Sequence, residues 1–197
     1  MSNAINQFKA SIQGIKDLTS TIDYIDKSTT GVLDTSDLYR SQIVLIISSL
    51  DYFIHEFVLE EMLEIYNGNR ITTPTFNRFP VPIATTLVMR PPDNIVSSHI
   101  RQKHSWLTFQ YPDKIADAIR LISEKKLWEE VSPSFSLSAK DLKAKLKLIV
   151  ERRNKIAHES DMDPSFPGNK WPISQTDVYE ITEFIEKLGI EIYNKIK

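Results

Sequence analysis

The sequence predicts an all-α fold, a bundle of about five main helices with a proline-rich insertion. Long stretches keep the three-four spacing of apolar residues that buries one side of a helix, and none keeps the alternation of a half-buried strand. Chain breakers separate these stretches: Asn67-Gly68-Asn69, Ser132-Pro133, and a loop at 161–172 holding Pro164, Pro167 and Gly168. At 197 residues the chain suits a single domain, 1–197, able to bury a sizeable core without disulfides.

Taken in order, Ile5, Phe8, Ile12, Ile15, Leu18, Ile22 and Ile25 predict a first helix over 4–27, weakened but not broken by Gly14. A loop over 28–36 leads to Asp37, the expected N-cap of a second helix over 38–66. That helix is apolar around most of its circumference from 43 to 57, so it lies at the centre of the fold or at a subunit interface. Residues 70–92 hold five of the ten prolines (Pro74, Pro80, Pro82, Pro91, Pro92), a density that forbids regular helix. An ordered excursion packed by Phe76, Phe79 and Val81 is expected there, with a short turn at 83–89. Residues 95–106 suggest a short helix that sets His99, Arg101, Lys103 and His104 beside Trp106. These read either as a core tryptophan next to solvated basic residues or as a surface for stacked RNA bases. Pro112 starts the next helix, with Ile115, Ile119 and Ile122 facing in and Leu127-Trp128 closing the segment. Ser138, three residues before Asp141, caps a long helix over 138–158, and Thr176 or Asp177 caps a last one through Val178, Ile181, Phe184, Ile185, Leu188 and Ile192.

Composition narrows the chemistry. Apolar content of 41% and charged content of 25% are those of an ordinary globule, no run approaches an uninterrupted membrane span, and the N-terminus lacks a signal-peptide pattern. A cytoplasmic protein with no membrane partner is expected. Without cysteine there is neither thiolate chemistry nor a cysteine-zinc site. The glycines are isolated, which excludes phosphate-cradling loops, and no H-E-x-x-H or G-x-S-x-G motif occurs. No cofactor and no metal are expected. Net charge is −2, yet over 138–158 seven basic residues (Lys140, Lys143, Lys145, Lys147, Arg152, Arg153, Lys155) face two acidic ones (Asp141, Glu151). Such a run is either a solvated helix face or a phosphate-attracting patch, in which Arg152, Lys155 and Lys147 would contact RNA.

The end of that helix reads Glu151-Arg152-Arg153-Asn154-Lys155-Ile156-Ala157-His158-Glu159. Helical projection puts Arg153 on the same stripe as Leu142, Leu146, Ile149, Val150, Ile156 and Ala157. A guanidinium there needs an anion. Asp51, on the second helix with Arg40 and His55, is the candidate, although Asp51 and His55 can also satisfy each other at four-residue spacing. Asn154 and His158 share an adjoining face. The group can bind anionic oxygen and move a proton near neutral pH, which suits phosphodiester chemistry.

The stretch Arg153-Asn154-Lys155-Ile156-Ala157-His158 resembles the R-x4-6-H signature of the HEPN superfamily. Leu38-Tyr39-Arg40-Ser41, Asp51 with His55, Thr108-Phe109-Gln110 with Lys114-Ile115, and Leu127-Trp128 extend the resemblance to its RiboL-PSP-HEPN subgroup over residues 35–165. The resemblance implies a HEPN-like helical bundle and a metal-independent endoribonuclease. Arg153 and His158 would be catalytic, with Asn154, Asp51, His55 and Arg40 in support. It further implies a homodimer that joins two motifs in one cleft, an RNA substrate, and an antitoxin or regulatory protein in a toxin-antitoxin or defence setting. Attack by the 2′-hydroxyl would leave a 2′,3′-cyclic phosphate and exclude DNA. The residues also admit a bland reading, in which Arg153 pairs with Asp51, Asn154 and His158 cap the helix, and the protein is a catalytically inactive helical module that binds RNA or protein.

Overall fold

A computed structural model describes residues 3–30, 32–83 and 90–197. The described residues form seven α-helices and no strand ladder; the nearest approach to one is an isolated bridge between Met162 and Lys170. The helices are α1 (Asn3–Ser28), α2 (Ser36–Tyr66), α3 (Asp93–His104), α4 (Pro112–Ile119), α5 (Leu127–Val131), α6 (Ala139–Glu159) and α7 (Gln175–Ile196). The all-α expectation holds. Part of the expected turn at 83–89 falls on 84–89, outside the described residues.

α2 is the axis of the bundle because it has the apolar residues to be one. Ile43, Ile46, Ile47, Leu50, Phe53, Ile54 and Phe57 are fully buried, each contributing about 1.5–3 kcal/mol of transfer free energy. α1 and α7 pack on one side of it, and α6, α3 and α4 on others. Phe8 of α1 lies 4.9 Å from Phe53 between ring centroids, Phe53 stacks on Phe57 at 5.6 Å, and Phe57 meets Tyr193 of α7. Gly189 lets Phe8 reach α7, since a Cβ there would stand 2.6 Å from the Cζ of Phe8. α2 is long and apolar enough to cross a membrane by length and composition, but 56% of that window is buried inside the fold, as a core helix requires. One stripe stays out: Leu38, Leu45 and Tyr52, seven residues apart and so nearly in line, are 44%, 46% and 47% exposed.

Two capping expectations are revised. Asp37 lies in the first turn of α2, where it binds Arg40 and Lys170, and Thr35 holds the N-cap position. Ser174 caps α7, with Asp177 three residues on completing a reciprocal capping box in place of the expected Thr176 or Asp177 cap. Ser138 caps α6 as expected, accepting from the Asp141 N–H at 3.1 Å. Pro112 opens α4 at its favoured position, and its carbonyl accepts from Trp128 Nε1 at 3.1 Å, which ties α5 back to it.

Candidate functional site

α6 carries the site on its last turns. Its buried stripe runs through Leu142, Leu146, Ile149 and Val150 and then stops. Ile156 is half-buried, and Ala157 and His158 are exposed. The helix is closed by backbone bonds: Ser160 and Asp161 take left-handed φ of 53° and 58°, and the Asp161 N–H returns to the Lys155 carbonyl at 3.1 Å. Asn154 and His158 therefore are not the caps.

The two adjacent arginines have different fates. Arg152 donates to Asp161 Oδ2 at 2.7 Å and to the carbonyls of Trp171 and Pro172. Arg40 of α2 reaches the same Oδ2 at 2.9 Å and the Trp171 carbonyl at 2.6 Å. Asp161 is 0% exposed, so one buried carboxylate fastens the start of α2, the end of α6 and the loop before α7. Arg40 and Arg152 thus act as struts between these elements, and the charge of Arg152 is already paired. Lys147 pairs with Glu151 at 3.6 Å, and Lys155 lies over the Trp171 ring at 5.8 Å. The basic run is in part neutralised by its own fold.

Arg153 is half-buried and has no carboxylate partner among the described residues. Its Nη1 donates to Asn154 Oδ1 at 3.1 Å, and its buried Nε has no partner among the described residues. Asp51 is not its anion. Asp51 accepts instead from the backbone N–H of Phe109 and from Gln110 Nε2 at 3.3 Å, with His55 Nε2 at 3.8 Å, beyond hydrogen-bond reach. The physical reason is that Arg153 lies beyond the buried stripe, where solvent relieves the need for a fixed counter-charge, while Asp51 is drawn to the connecting segment 108–111.

That segment supplies a residue that the sequence reading missed. Asn154 Nδ2 donates to Tyr111 Oη at 3.0 Å. Because a guanidinium only donates, Asn154 must turn its carbonyl to Arg153 and its amide to Tyr111, so the phenol accepts and its own proton points elsewhere. Tyr111, Asn154 and Arg153 form one chain that fixes the guanidinium. The legible signal was Tyr111 before Pro112: a residue preceding proline is held extended, here at φ −75° and ψ 145°, which aims its side chain. His158 makes no hydrogen bond or ion pair among the described residues. It stands five residues from Arg153, about 140° round the helix and roughly 7.5 Å along it.

The model of the RiboL-PSP-HEPN family matches residues 9–197. This chain belongs to the RiboL-PSP-HEPN family. Neither the curated proteins nor the solved structures gave a match. Membership fits the R-x4-H motif at the C-terminal end of a helix packed on the longest and most apolar one, with Arg153 half-buried and His158 exposed.

Proposed function

We propose that this HEPN protein is a metal-independent endoribonuclease that acts in the cytoplasm as a two-fold homodimer, in a toxin-antitoxin or defence setting with a restraining protein partner. The observation that carries the reading is the contrast between neighbours: Arg152 is neutralised by a buried carboxylate, whereas Arg153 keeps its charge and is aimed by Asn154 and Tyr111. A cation held without a counter-ion, joined by a free imidazole from the same or a second copy, suits a phosphodiester as it becomes pentacoordinate.

His158 takes the proton of the 2′-hydroxyl, and the 2′-oxygen attacks phosphorus. The bond to the 5′-oxygen breaks, and that oxygen receives a proton from a second imidazole. Within one chain the angular offset of Arg153 and His158 and the lone imidazole argue for a second copy. The Leu38, Leu45 and Tyr52 stripe, with Leu148 of α6 66% exposed, offers the apolar surface for it.

The second reading, a catalytically inactive helical module that binds RNA or protein, is favoured by the lack of any group that orients His158. Incubation of purified protein with structured RNA separates the two. Loss of cleavage in His158→Ala with binding retained supports the nuclease, and no cleavage by wild type under any condition supports the module. Mixing His158→Ala with wild type should reduce activity by more than dilution if the site is composite; activity linear in protein down to a sedimenting monomer would defeat the dimer.

A further inference from the structure

A cleft of about 440 Å³ opens between α2 and α3, lined among others by Asp51, Tyr52, His55, His104, Leu107 and Thr108. Its volume lies within the range of small-molecule sites. The sequence pointed here only through the alternative of a base-stacking surface at 95–106 and the supporting roles of Asp51 and His55, and it showed no cleft.

His104 is 4% exposed, and its imidazole has no hydrogen-bond partner among the described residues. The ring nitrogens are not among the fully buried atoms without a partner, and His104 lines the cleft, so an occupant of the cleft can bond there. The formally charged side chains Arg101, Glu56 and Asp51 at the cleft are already engaged, whereas the Thr108 hydroxyl makes no hydrogen bond among the described residues. Arg101 forks onto Glu56, with Nη2 to Oε2 at 2.6 Å, and Asp51 holds Phe109 and Gln110. No free cation therefore lines the cleft to take a phosphate. Burial, and to a lesser extent the neighbouring His55, push His104 down from 6.5 to about 4, so it is neutral at pH 7. A neutral imidazole offers one donor and one acceptor on opposite sides of the ring, of which one can meet a polar atom on a base edge. Its neighbours are rings: Phe109 lies 4.3 Å from His55 between centroids, and His55 6.1 Å from His104.

The rim adds an aromatic platform. Trp106, between the cleft residues Ser105 and Leu107, is 89% exposed, which overturns the expectation of a core tryptophan. An indole left in water beside a cleft is the form that base stacking uses. From Thr108 the chain runs three residues to Tyr111, at most about 10 Å of extended backbone, and Tyr111 binds Asn154.

We propose that this cleft is a nucleobase subsite, which takes one unpaired base of an RNA strand against His104 and Thr108 while Trp106 stacks on the next. The proposal rests on the ribonuclease reading for its choice of RNA, and it makes the enzyme selective for unpaired sequence near the cut.

The test uses short 2′-O-methyl homopolymers of the four bases, labelled for fluorescence anisotropy, which bind but cannot be cleaved. Wild type should prefer one base. Trp106→Ala, an exposed change that leaves the core alone, should weaken all four oligomers by about tenfold, the scale of one lost base stack. His104→Phe should keep the overall affinity and flatten the preference, and Thr108→Ala on the cleft wall checks this where His104→Phe folds poorly. Equal binding of Trp106→Ala and wild type, or no binding by wild type, overturns the subsite. Selective, Trp106-dependent binding without cleavage of any RNA keeps the subsite and sinks the nuclease. Cleavage of structured RNA that Trp106→Ala performs with unchanged kcat/KM and cut sites does the reverse.

Discussion

Asp161→Asn is the perturbation that most sharply separates the scaffold from the site. The asparagine carbonyl can still accept from Arg40 and Arg152, but the negative charge is gone, and an amide N–H₂ replaces Oδ1, which has no partner. Arg40 and Arg152 have side chains only 9% and 25% exposed, so neither can rehydrate without opening the loop. Removing one partner of a buried ion pair costs about 3–5 kcal/mol. For a chain of this length each kcal/mol lowers Tm by roughly 2–4 °C, which gives a fall on the order of 10 °C. Arg153→Ala should cost only about 1 kcal/mol, the packing of its stem, because no buried charge is orphaned. Thermal melts of both variants, with cleavage assayed well below either Tm, give opposite patterns: Asp161→Asn unstable yet able to cleave, Arg153→Ala stable yet unable. Equal melting losses, or an Asp161→Asn that melts with wild type, would refute the division of labour between the two arginines.

Three further outcomes can be measured with the same equipment. Gly189→Ala should lose about 1–3 kcal/mol as Phe8 is forced off α7, whereas Gly14→Ala, with open space around it, should gain about 0.5–1 kcal/mol; matching signs would contradict the packing. His104 has a folded pKa of about 4 against 6.5 unfolded, so the unfolded chain protonates first. Its contribution is full above pH 6.5 and is lost as pH falls towards 4, the loss reaching about 2 kcal/mol by pH 5. His104→Phe should remove that part of the acid-induced drop in Tm, and an identical drop in both proteins would count against a neutral, buried His104. Tyr111→Phe should lower kcat by about tenfold or more with KM unchanged and Tm little altered, since only the aim of Arg153 suffers; a change in KM alone would assign Tyr111 to binding.

Much of the fold was legible because helices announce themselves locally. The three-four spacing in α1, α2, α6 and α7 sets which side is buried, and Pro112 and Ser138 mark starts by their own stereochemistry. The site was legible only as a motif. Projection onto a wheel placed Arg153 with the buried residues of α6, but it cannot tell how far along the helix the core extends, so Asp51 was assigned a charge it does not hold. The partners that matter come from afar in sequence. Asp161 meets Arg40 across 121 positions, in a left-handed conformation that asparagine and aspartate tolerate better than most residues. Tyr111 meets Asn154 across 43. Trp106 was misjudged because tryptophan is usually well buried, and only the position of the α3 terminus puts it in water.

The central claim is cleavage by the RNA's own 2′-hydroxyl with protein side chains supplying charge and protons, and end-group analysis of the products tests it most directly. Structured RNA cut in excess EDTA should yield 2′,3′-cyclic phosphate and 5′-hydroxyl ends, with no such ends from His158→Ala. Cleavage abolished by EDTA and restored by magnesium, or products ending in a 3′-hydroxyl, would contradict the account, because another nucleophile would then be doing the work assigned to the substrate.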